Sequence, residues 1–387
     1  AALAGRDIIF DQNYKYNLTI RRSLEEILKN YEGDRQTKEW YEFNVYLKRI
    51  WFSNGIHHHY STDKFMPGFD QAYMEELINN SPGSTFPMKE GQDLGSFIDW
   101  ISDIIFNPEV APKRVNSNPE MDLIKQSACN FYEGVNQEEV EAYYESIKVA
   151  NDETPISYGL NSKLVKENGE VKELVYTEAG LYGEAITRII YWLEKASTVA
   201  ETAEQKEALL TLTEYYRTGD LVLWDKYNVM WVSDLVPEVD YVNGFIEVYG
   251  DPMGMKATWE SVVNFKNQEA TKRTILISEN AQWFEDNSPT DKRFKKDEVK
   301  GVTAKVITVA QLGGDCYPST PIGINLPNAD WIRKDHGSKS VTMDNITYAY
   351  DQASLGNGFL EEFCASKDEI GRVKKYGYME GNINTDL

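Results

Sequence analysis

The sequence of 387 residues is long enough for one large domain or for two to three ordinary ones, since single cores rarely exceed roughly 250–300 residues. Its hydrophobic content of 41% and aromatic content of 12% exclude general disorder, and no apolar run approaches the roughly 18–20 residues of a membrane span. The formal charge of −22 repels a phosphate backbone and favours cationic or zwitterionic partners, although solubility alone is a sufficient reason for it. We therefore predict no nucleic-acid partner and no membrane span.

The three cysteines, Cys129, Cys316 and Cys364, are far apart and odd in number. This pattern predicts free, buried thiols and disfavours a disulfide framework or a cysteine-based zinc site. No signal peptide is visible, but residues 1–5 read like the middle of a helix. That reading leaves room for an upstream targeting segment and leaves the compartment open.

The first 155 residues read mainly as helices separated by turn-rich segments. Ser23 and Glu26 have the spacing of a capping box ahead of an apolar helical stripe, so we predict that a helix begins there. Asn136 precedes a second apolar stripe, which includes Val140 and Tyr144, and we predict that it caps a helix in the same way.

The character of the chain changes at residues 163–176. Asn168 and Gly169 lie between two short β-prone arms, which predicts a hairpin. Two helices are predicted next, one through Leu181–Leu193 and one through Ala208–Tyr216, and the short break between them predicts an antiparallel pair.

Strand signals dominate from Tyr241, in Gly244–Gly250 and in Val302–Leu312. Between them we predict a polar helical stretch, roughly 262–285, and a charged linker through residue 296. After Asn345 the chain reads as strand or coil and then as a helix around Leu360–Cys364. Helices, a few strands and helices again predict an α+β fold rather than βαβ alternation.

His57, His58 and His59 are three of only four histidines, and imidazole is a common metal ligand. Consecutive side chains point in different directions, however, so a triplet rarely supplies three ligands to one ion. A structural turn or a substrate-cleft role for one imidazole is the preferred interpretation. The sequence holds no His-Glu-x-x-His, no Gly-x-Ser-x-Gly elbow and no phosphate-binding glycine loop, and therefore no complete catalytic set.

Two segments suit a ligand. Asp240–Pro252 reads as a strand flanked by acids, and Pro321–Arg333 contains two prolines, which is typical of an edge or irregular strand. An edge strand of this kind accepts an extended peptide, with carboxylates and amides binding its terminal ammonium. An ordinary turn-rich loop is the alternative interpretation.

The same two segments resemble motifs of the dipeptidyl peptidase III family of zinc exopeptidases. Gly244–Pro252 resembles the family motif Gly-Phe-Ile-Glu-x-Tyr-x-Asp-Pro. Gly323–Asn328, with Arg333 following, is similar to the family segment Gly-Ile-Asn-(Ile/Leu)-Pro-Asn. The resemblance covers most of the chain, is weakest in the first 155 residues and looks closest to the bacterial branch.

The resemblance implies roles for individual residues. Asn325 and Asn328 match the asparagines that hold the N-terminal end of the peptide, and Ile324 would line the cleft. Arg333 would orient the downstream part of the peptide. Asp240 falls where the family commonly has a glutamate for the terminal ammonium.

One position departs from the family. The tyrosine that assists at the scissile carbonyl aligns with Val242, whereas Tyr241 is its neighbour. Tyr241 is therefore the candidate catalytic residue, although in a regular strand its side chain points to the opposite face.

The resemblance also implies a two-lobed, mainly helical architecture. Residues 1–260 and 301–354 would form a lower lobe with a small β-barrel and the substrate segment. Residues 261–300 and 355–387 would belong to a helical upper lobe that carries zinc and is only partly present.

The family's zinc motif, His-Glu-x-x-Gly-His, is expected directly after Leu387. We therefore predict zinc in the full-length enzyme, no metal ligand in this chain and no catalysis by this chain alone. The implied activity is the release of dipeptides from the N-terminus of oligopeptides in the cytoplasm, with a periplasmic or exported location as the alternative. A stand-alone, non-catalytic peptide-binding or scaffold module is the second hypothesis.

Overall fold

The computed structural model describes residues 1–299 and 302–354. Helices occupy residues 6–106, and their apolar faces meet in one aromatic-rich core around Phe43, Tyr46 and Phe97. These helices are α1 (Arg6–Asn13), α2 (Asn17–Asn30), α3 (Lys38–Ser53), α4 (Gln71–Asn79) and α5 (Leu94–Phe106). No helix in the described ranges is long and apolar enough to cross a membrane.

The helix predicted to begin at Ser23 begins earlier, at Asn17. Ser23 lies inside α2, where its hydroxyl donates to the carbonyl oxygen of Thr19 at 2.7 Å. The predicted capping role of Ser23 with Glu26 is therefore wrong, because a bond to the preceding turn satisfies the hydroxyl within the helix.

A small three-stranded sheet follows, built from β1 (Tyr132–Glu133), β2 (Ser162–Glu167) and β3 (Glu170–Val175). The predicted hairpin is confirmed, since Asn168 and Gly169 join β2 to β3 with φ of +52° and +87°. The predicted cap is also confirmed, because Asn136 begins α6 (Gln137–Ile147) with a complete capping box.

The ammonium of Lys256 fastens this sheet to the rest of the molecule. Lys256 is fully buried, and its Nζ donates to the Tyr144 hydroxyl at 2.6 Å and to the Ser162 carbonyl at 3.0 Å. The Tyr144 hydroxyl in turn donates to the Glu173 carboxylate at 2.7 Å. One buried charge thus joins α6, both arms of the hairpin and a connection between two strands of the larger sheet described below.

Three further helices are α7 (Gly183–Ser197), α8 (Ala203–Thr218) and α9 (Leu221–Ser233). The predicted pair is confirmed as α7 and α8, and α9 follows after a short connection at Gly219 and Asp220. Sequence reasoning missed α9, because its apolar and aromatic residues lie on all sides rather than in one stripe.

The larger sheet has the strand order β4-β5-β6-β8-β7. Its strands are β4 (Val239–Glu247), β5 (Thr258–Lys266), β6 (Val302–Gly314), β7 (Gly323–Leu326) and β8 (Ser338–Met343). In this sheet β6 and β8 pair in parallel, and the other neighbouring strands pair antiparallel. The first and last strands of the order, β4 and β7, are the two edges of the sheet. The predicted edge strand at Pro321–Arg333 is confirmed as β7.

The remaining helices lie beside this sheet. They are α10 (Gln268–Ser278), α11 (Ala281–Asn287), a 3-10 turn (Lys292–Phe294), α12 (Asp330–Asp335) and α13 (Asp344–Ser354). Together with the two sheets they confirm the α+β class. The predicted helix at Leu360–Cys364 and the segment 355–387 lie outside the described residues, and the proposed division into lobes stays a prediction.

The helical stretch predicted at roughly 262–285 is confirmed from Gln268 onward by α10 and α11, but its first residues belong to β5, where the buried Asn264 pairs in the sheet. One predicted element is wrong. The strand or coil predicted after Asn345 is α13. There the Asn345 side chain bonds the backbone N–H and C=O of Val309 and holds the helix against β6.

The fold predicts a large energetic role for Lys256. Replacing it with Met leaves the Tyr144, Ser162 and Glu173 side chains without their shared cation, so the free energy of unfolding is expected to fall by about 3 kcal/mol. Chemical denaturation measures this loss. Lys172→Met removes an exposed lysine from the same hairpin and is the control, with little change expected. Equal effects of the two substitutions would contradict the assigned role.

Candidate functional site

Asn325 lies on the edge strand β7 and is held from two sides. Its Nδ2 donates to the Ser340 hydroxyl on β8 at 3.0 Å. Its Oδ1 accepts from Nη2 of Arg333, on α12, at 3.2 Å. The structure therefore brings together two predicted binding residues, and Asn325 has a fixed orientation. Ile324, on the opposite face of the strand, packs against the main core and stays partly accessible.

Asn328 is exposed and bridges the two edges of the larger sheet. Its Nδ2 donates to the Ile246 carbonyl at 3.3 Å and approaches Oε1 of Glu247 at 3.5 Å. The two motif segments that suggested the family are far apart in sequence, yet they meet at this contact. The C-terminal ends of β4 and β7 therefore form one surface.

Glu247 lies beside Asn328 and belongs to the Gly244–Pro252 motif, although no role was predicted for it. Burial raises the pKa of the Glu247 carboxyl, and the neighbouring Asp315 raises it further, while the bond from Asn328 opposes both effects. Burial disfavours the ionised form of this carboxyl, so a cationic ligand bound beside Asn328 would stabilise that form.

The role predicted for Asp240 requires a free carboxylate, but in the structure this carboxylate is already paired. Its Oδ2 faces the ammonium groups of Lys339 at 3.0 Å and Lys305 at 3.6 Å. Its Oδ1 accepts from the indole N–H of Trp231 and from the backbone N–H of Tyr241. An incoming ammonium must therefore displace one of two lysines that the carboxylate already binds.

Tyr241 and Val242 point to opposite faces of β4, as a regular strand requires. The Tyr241 hydroxyl is buried without a hydrogen-bond partner in the described ranges, and its ring stacks on that of Tyr227 with centroids 6.3 Å apart. Burial raises the pKa of the phenol, with Asp240 adding to the effect. The hydroxyl is therefore neutral at physiological pH and available as a donor.

A cavity of about 40 Å³ lies between α9, β4 and β7, with room for a few water-sized groups. Its walls are mostly apolar and aromatic, and Asn328 lies at its edge. The lining from the three elements includes Trp224, Tyr227, Trp231, Val242, Ile246 and Leu326.

Gly244, the first residue of the Gly244–Pro252 motif, lies where β4 passes close to α9 at this cavity. A Cβ on Gly244 would lie 2.4 Å from the Trp224 ring, so only glycine permits the close approach of α9 to β4.

A second carboxyl, that of Glu260, lies fully buried behind Glu247. Burial and the charge of Glu247 raise its pKa to about 8, and the Cys316 thiol donates to its Oε2 at 3.1 Å. Glu260 is therefore protonated at neutral pH. Cys316 and Cys129 are both free and buried, as predicted, whereas Cys364 lies outside the described residues.

The histidine triplet does not converge on one point. His57 is buried, its Nε2 bonds the Ala111 carbonyl at 2.8 Å, and burial lowers its pKa to about 4. His58 is exposed and accepts from two backbone N–H groups of the turn that follows. Among residues 1–299 and 302–354, no group of three or more His, Cys, Asp or Glu side chains is arranged to hold a metal ion.

The sequence model of Peptidase family M49 matches residues 122–369, which is more than half of the chain. The chain belongs to peptidase family M49. The match includes β4, the edge strand β7 and the residues that meet at Asn328, and it confirms the resemblance inferred from the two motifs.

Known relatives of this M49 chain are about twice as long. Dipeptidyl peptidase 3 of Rattus norvegicus is 23% identical over 354 residues, covering 84% of this chain and 46% of that protein. Dipeptidyl peptidase 3 of Dictyostelium discoideum is 29% identical over 185 residues, covering 47% and 26%. The solved structure of DPP III from Caldithrix abyssi shares the fold with a TM-score of 0.62 at 19% identity, over 90% of this chain and 54% of that one. The chain thus spans about half the length of the proteins it matches.

The raised pKa of Glu260 predicts a pH dependence of stability. The unfolded carboxyl loses its proton near pH 4.5 and the folded one near 8, so the contribution of Glu260 is fully present below 4.5 and declines as pH rises to 8. In Glu260→Gln this decline is absent, so the midpoint of thermal unfolding is expected to fall less between pH 5 and 8 than in the wild type. Glu170→Gln, an exposed change on the hairpin, is the control and should follow the wild type. Parallel curves for the wild type and Glu260→Gln would rule the assignment out.

Proposed function

We propose that this chain provides the peptide-binding surface of an M49 dipeptidyl peptidase, which releases dipeptides from the N-terminus of oligopeptides. The observation that carries the proposal is the contact of Asn328 with Ile246 and Glu247, where the two family motifs meet. Membership of the family supports the class of reaction, and the names of the relatives support the dipeptide product.

The edge strand β7 supports an extended peptide as ligand. β7 pairs with β8 on one side, and in the described sheet no strand pairs with its other side. Main-chain groups on a free edge bind an added strand, and side chains beside it select the register. Ile324 and the aromatic cavity offer apolar contacts to the peptide, and Asn325 offers an amide whose orientation Arg333 fixes.

We propose that Asn328 and Glu247 together bind the terminal ammonium. The amide oxygen of Asn328 accepts from the ammonium, and the Glu247 carboxylate balances its charge. Binding a cation stabilises the ionised carboxylate and so lowers the pKa that burial has raised. Asp240 is a second candidate for this role, but two lysines already face it. Tyr241 remains the proposed donor to the scissile carbonyl, since its buried hydroxyl has no partner among the described residues.

Family membership supports zinc as the catalytic metal of the enzyme, but the side chains in the described ranges do not form a metal site. What these residues supply is positioning: a peptide held at its N-terminus presents its second peptide bond at a constant distance from that end.

The affinity for a tetra-alanine peptide tests the proposal. Calorimetry is expected to show binding of the free-amine peptide and roughly 10–100-fold weaker binding of its N-acetylated form, because a charge-assisted hydrogen bond contributes about 1.5–3 kcal/mol. Equal affinities for the two peptides would overturn the assigned role of the ammonium.

Replacing Asn328 with Ala is expected to weaken binding of the free-amine peptide roughly 10- to 100-fold, since a hydrogen bond to a charged group contributes about 1.5–3 kcal/mol. Asn287→Ala removes an exposed amide at the end of α11 and is the matched control, with unchanged affinity expected. If both variants bind like the wild type, Asn328 is not part of the binding surface.

A further inference from the structure

The tip of the hairpin between β2 and β3 is an Asn-Gly pair that is open to solvent. Asn168 and Gly169 are the two loop residues between the paired Glu167 and Glu170, and both have positive φ, +52° and +87°. Positive φ at both central residues is the conformation of a type I′ turn. All four residues are exposed, so the tip is accessible to water.

The polar groups of this pair are not held by the rest of the protein. The Asn168 side-chain amide has no hydrogen-bond partner among the described residues, and the Gly169 N–H makes no backbone hydrogen bond there. A Cβ built on Gly169 meets no heavy atom within 4 Å, so no other part of the described chain crowds this residue. The Gly169 nitrogen and the side-chain carbonyl carbon of Asn168 are therefore free to approach each other.

Two further Asn-Gly pairs lie within the described ranges, and the asparagine of each is buried and hydrogen-bonded. Asn54, directly after α3, is 2% exposed, and its Nδ2 donates to the Tyr317 carbonyl at 2.8 Å. Asn243, on β4, is also 2% exposed. Its Oδ1 accepts from the Tyr216 hydroxyl at 2.6 Å, and its Nδ2 donates to the Ser261 hydroxyl at 3.1 Å. The same dipeptide thus occurs in opposite environments, so a difference in reactivity reports on structure rather than on sequence.

We propose that Asn168 is a site of spontaneous covalent modification, at which its amide becomes a carboxylate, in part through the β-linked isoaspartyl form. The Gly169 backbone nitrogen loses its proton to hydroxide and attacks Cγ of Asn168. A nitrogen–carbon bond forms, the bond from Cγ to Nδ2 breaks, and ammonia leaves with a proton taken from water. Water then opens the resulting succinimide ring at either carbonyl, which gives aspartate or isoaspartate.

The isoaspartyl product changes the backbone of the turn. Its main chain runs through the side-chain carbon, so the loop gains one methylene between Glu167 and Glu170, whose pairing requires a two-residue loop. The arms that this loop joins carry buried contacts, such as the bond from the Ser162 hydroxyl to the Glu173 carboxylate at 2.6 Å. Modification at the exposed tip therefore weakens the pairing of the hairpin that Lys256 fastens to the larger sheet.

Mass spectrometry of the whole folded chain tests the site. After incubation in neutral buffer the protein is digested with pepsin in acid, where ring closure is suppressed, and the peptide of each Asn-Gly pair is quantified. Conversion at Asn168 is expected to be at least about tenfold faster than at Asn54 and Asn243, because those two require local opening of the fold first. Conversion at Asn168 no faster than at the two buried asparagines would overturn the proposal. Electron-transfer fragmentation should identify isoaspartate in the product, and aspartate alone would refute the succinimide route.

Gly169→Asn tests the attacking nitrogen, because asparagine also accepts positive φ but carries a side chain beside that nitrogen. The substitution is expected to slow conversion of Asn168 roughly tenfold, since the added Cβ hinders the attack and raises its barrier. Asn151→Ala removes another exposed asparagine with positive φ, one that no glycine follows, and is the matched control with an unchanged rate at Asn168. Equal rates in Gly169→Asn and the wild type would refute attack by the Gly169 nitrogen.

Discussion

The carboxylate of Asp240 is the point at which α9 and three strands of the larger sheet are joined. It binds the Trp231 indole from the helix, lies itself on β4, and faces lysines from β6 and β8. Ammonium groups that are nearly excluded from water are tolerated only with such a partner. The position of α9 follows from this contact, and with it the cavity whose walls α9 shares with both edge strands. The surface at Asn328 depends on the same packing, because it requires β4 and β7 to be brought together.

Much of this fold could be predicted from local chemistry. The hairpin at Asn168 and Gly169 needs two residues with positive φ, and few residue pairs accept that conformation. The capping box at Asn136 and the edge strand with its prolines are equally local, since each depends on hydrogen bonds that a neighbour in sequence makes or lacks. Such signals survive without knowledge of the tertiary structure.

What could not be predicted depends on partners far away in sequence. Ser23 has the chemistry of a helix cap, but its hydroxyl is satisfied inside the helix. Asp240 resembles a free binding carboxylate until the two lysines, some 65 and 99 residues later, are seen to face it. Glu247 was part of a recognised motif, yet its role beside Asn328 follows only from the meeting of two edges. Resemblance to the family predicted a binding surface at these segments, whereas the structure shows which of their side chains are already paired.

The composition of β5 also affects the unfolded chain. A strand in the middle of a sheet is usually apolar, and such a segment is prone to aggregate when it is exposed. In β5, however, the buried Glu260 lies beside other buried polar residues, Ser261 and Asn264. Its carboxyl is neutral in the folded protein at neutral pH but ionised in an unfolded chain, because the raised pKa exists only in the folded environment. Glu260 therefore carries a charge within this strand while the chain is unfolded and loses that charge once the sheet has closed around it.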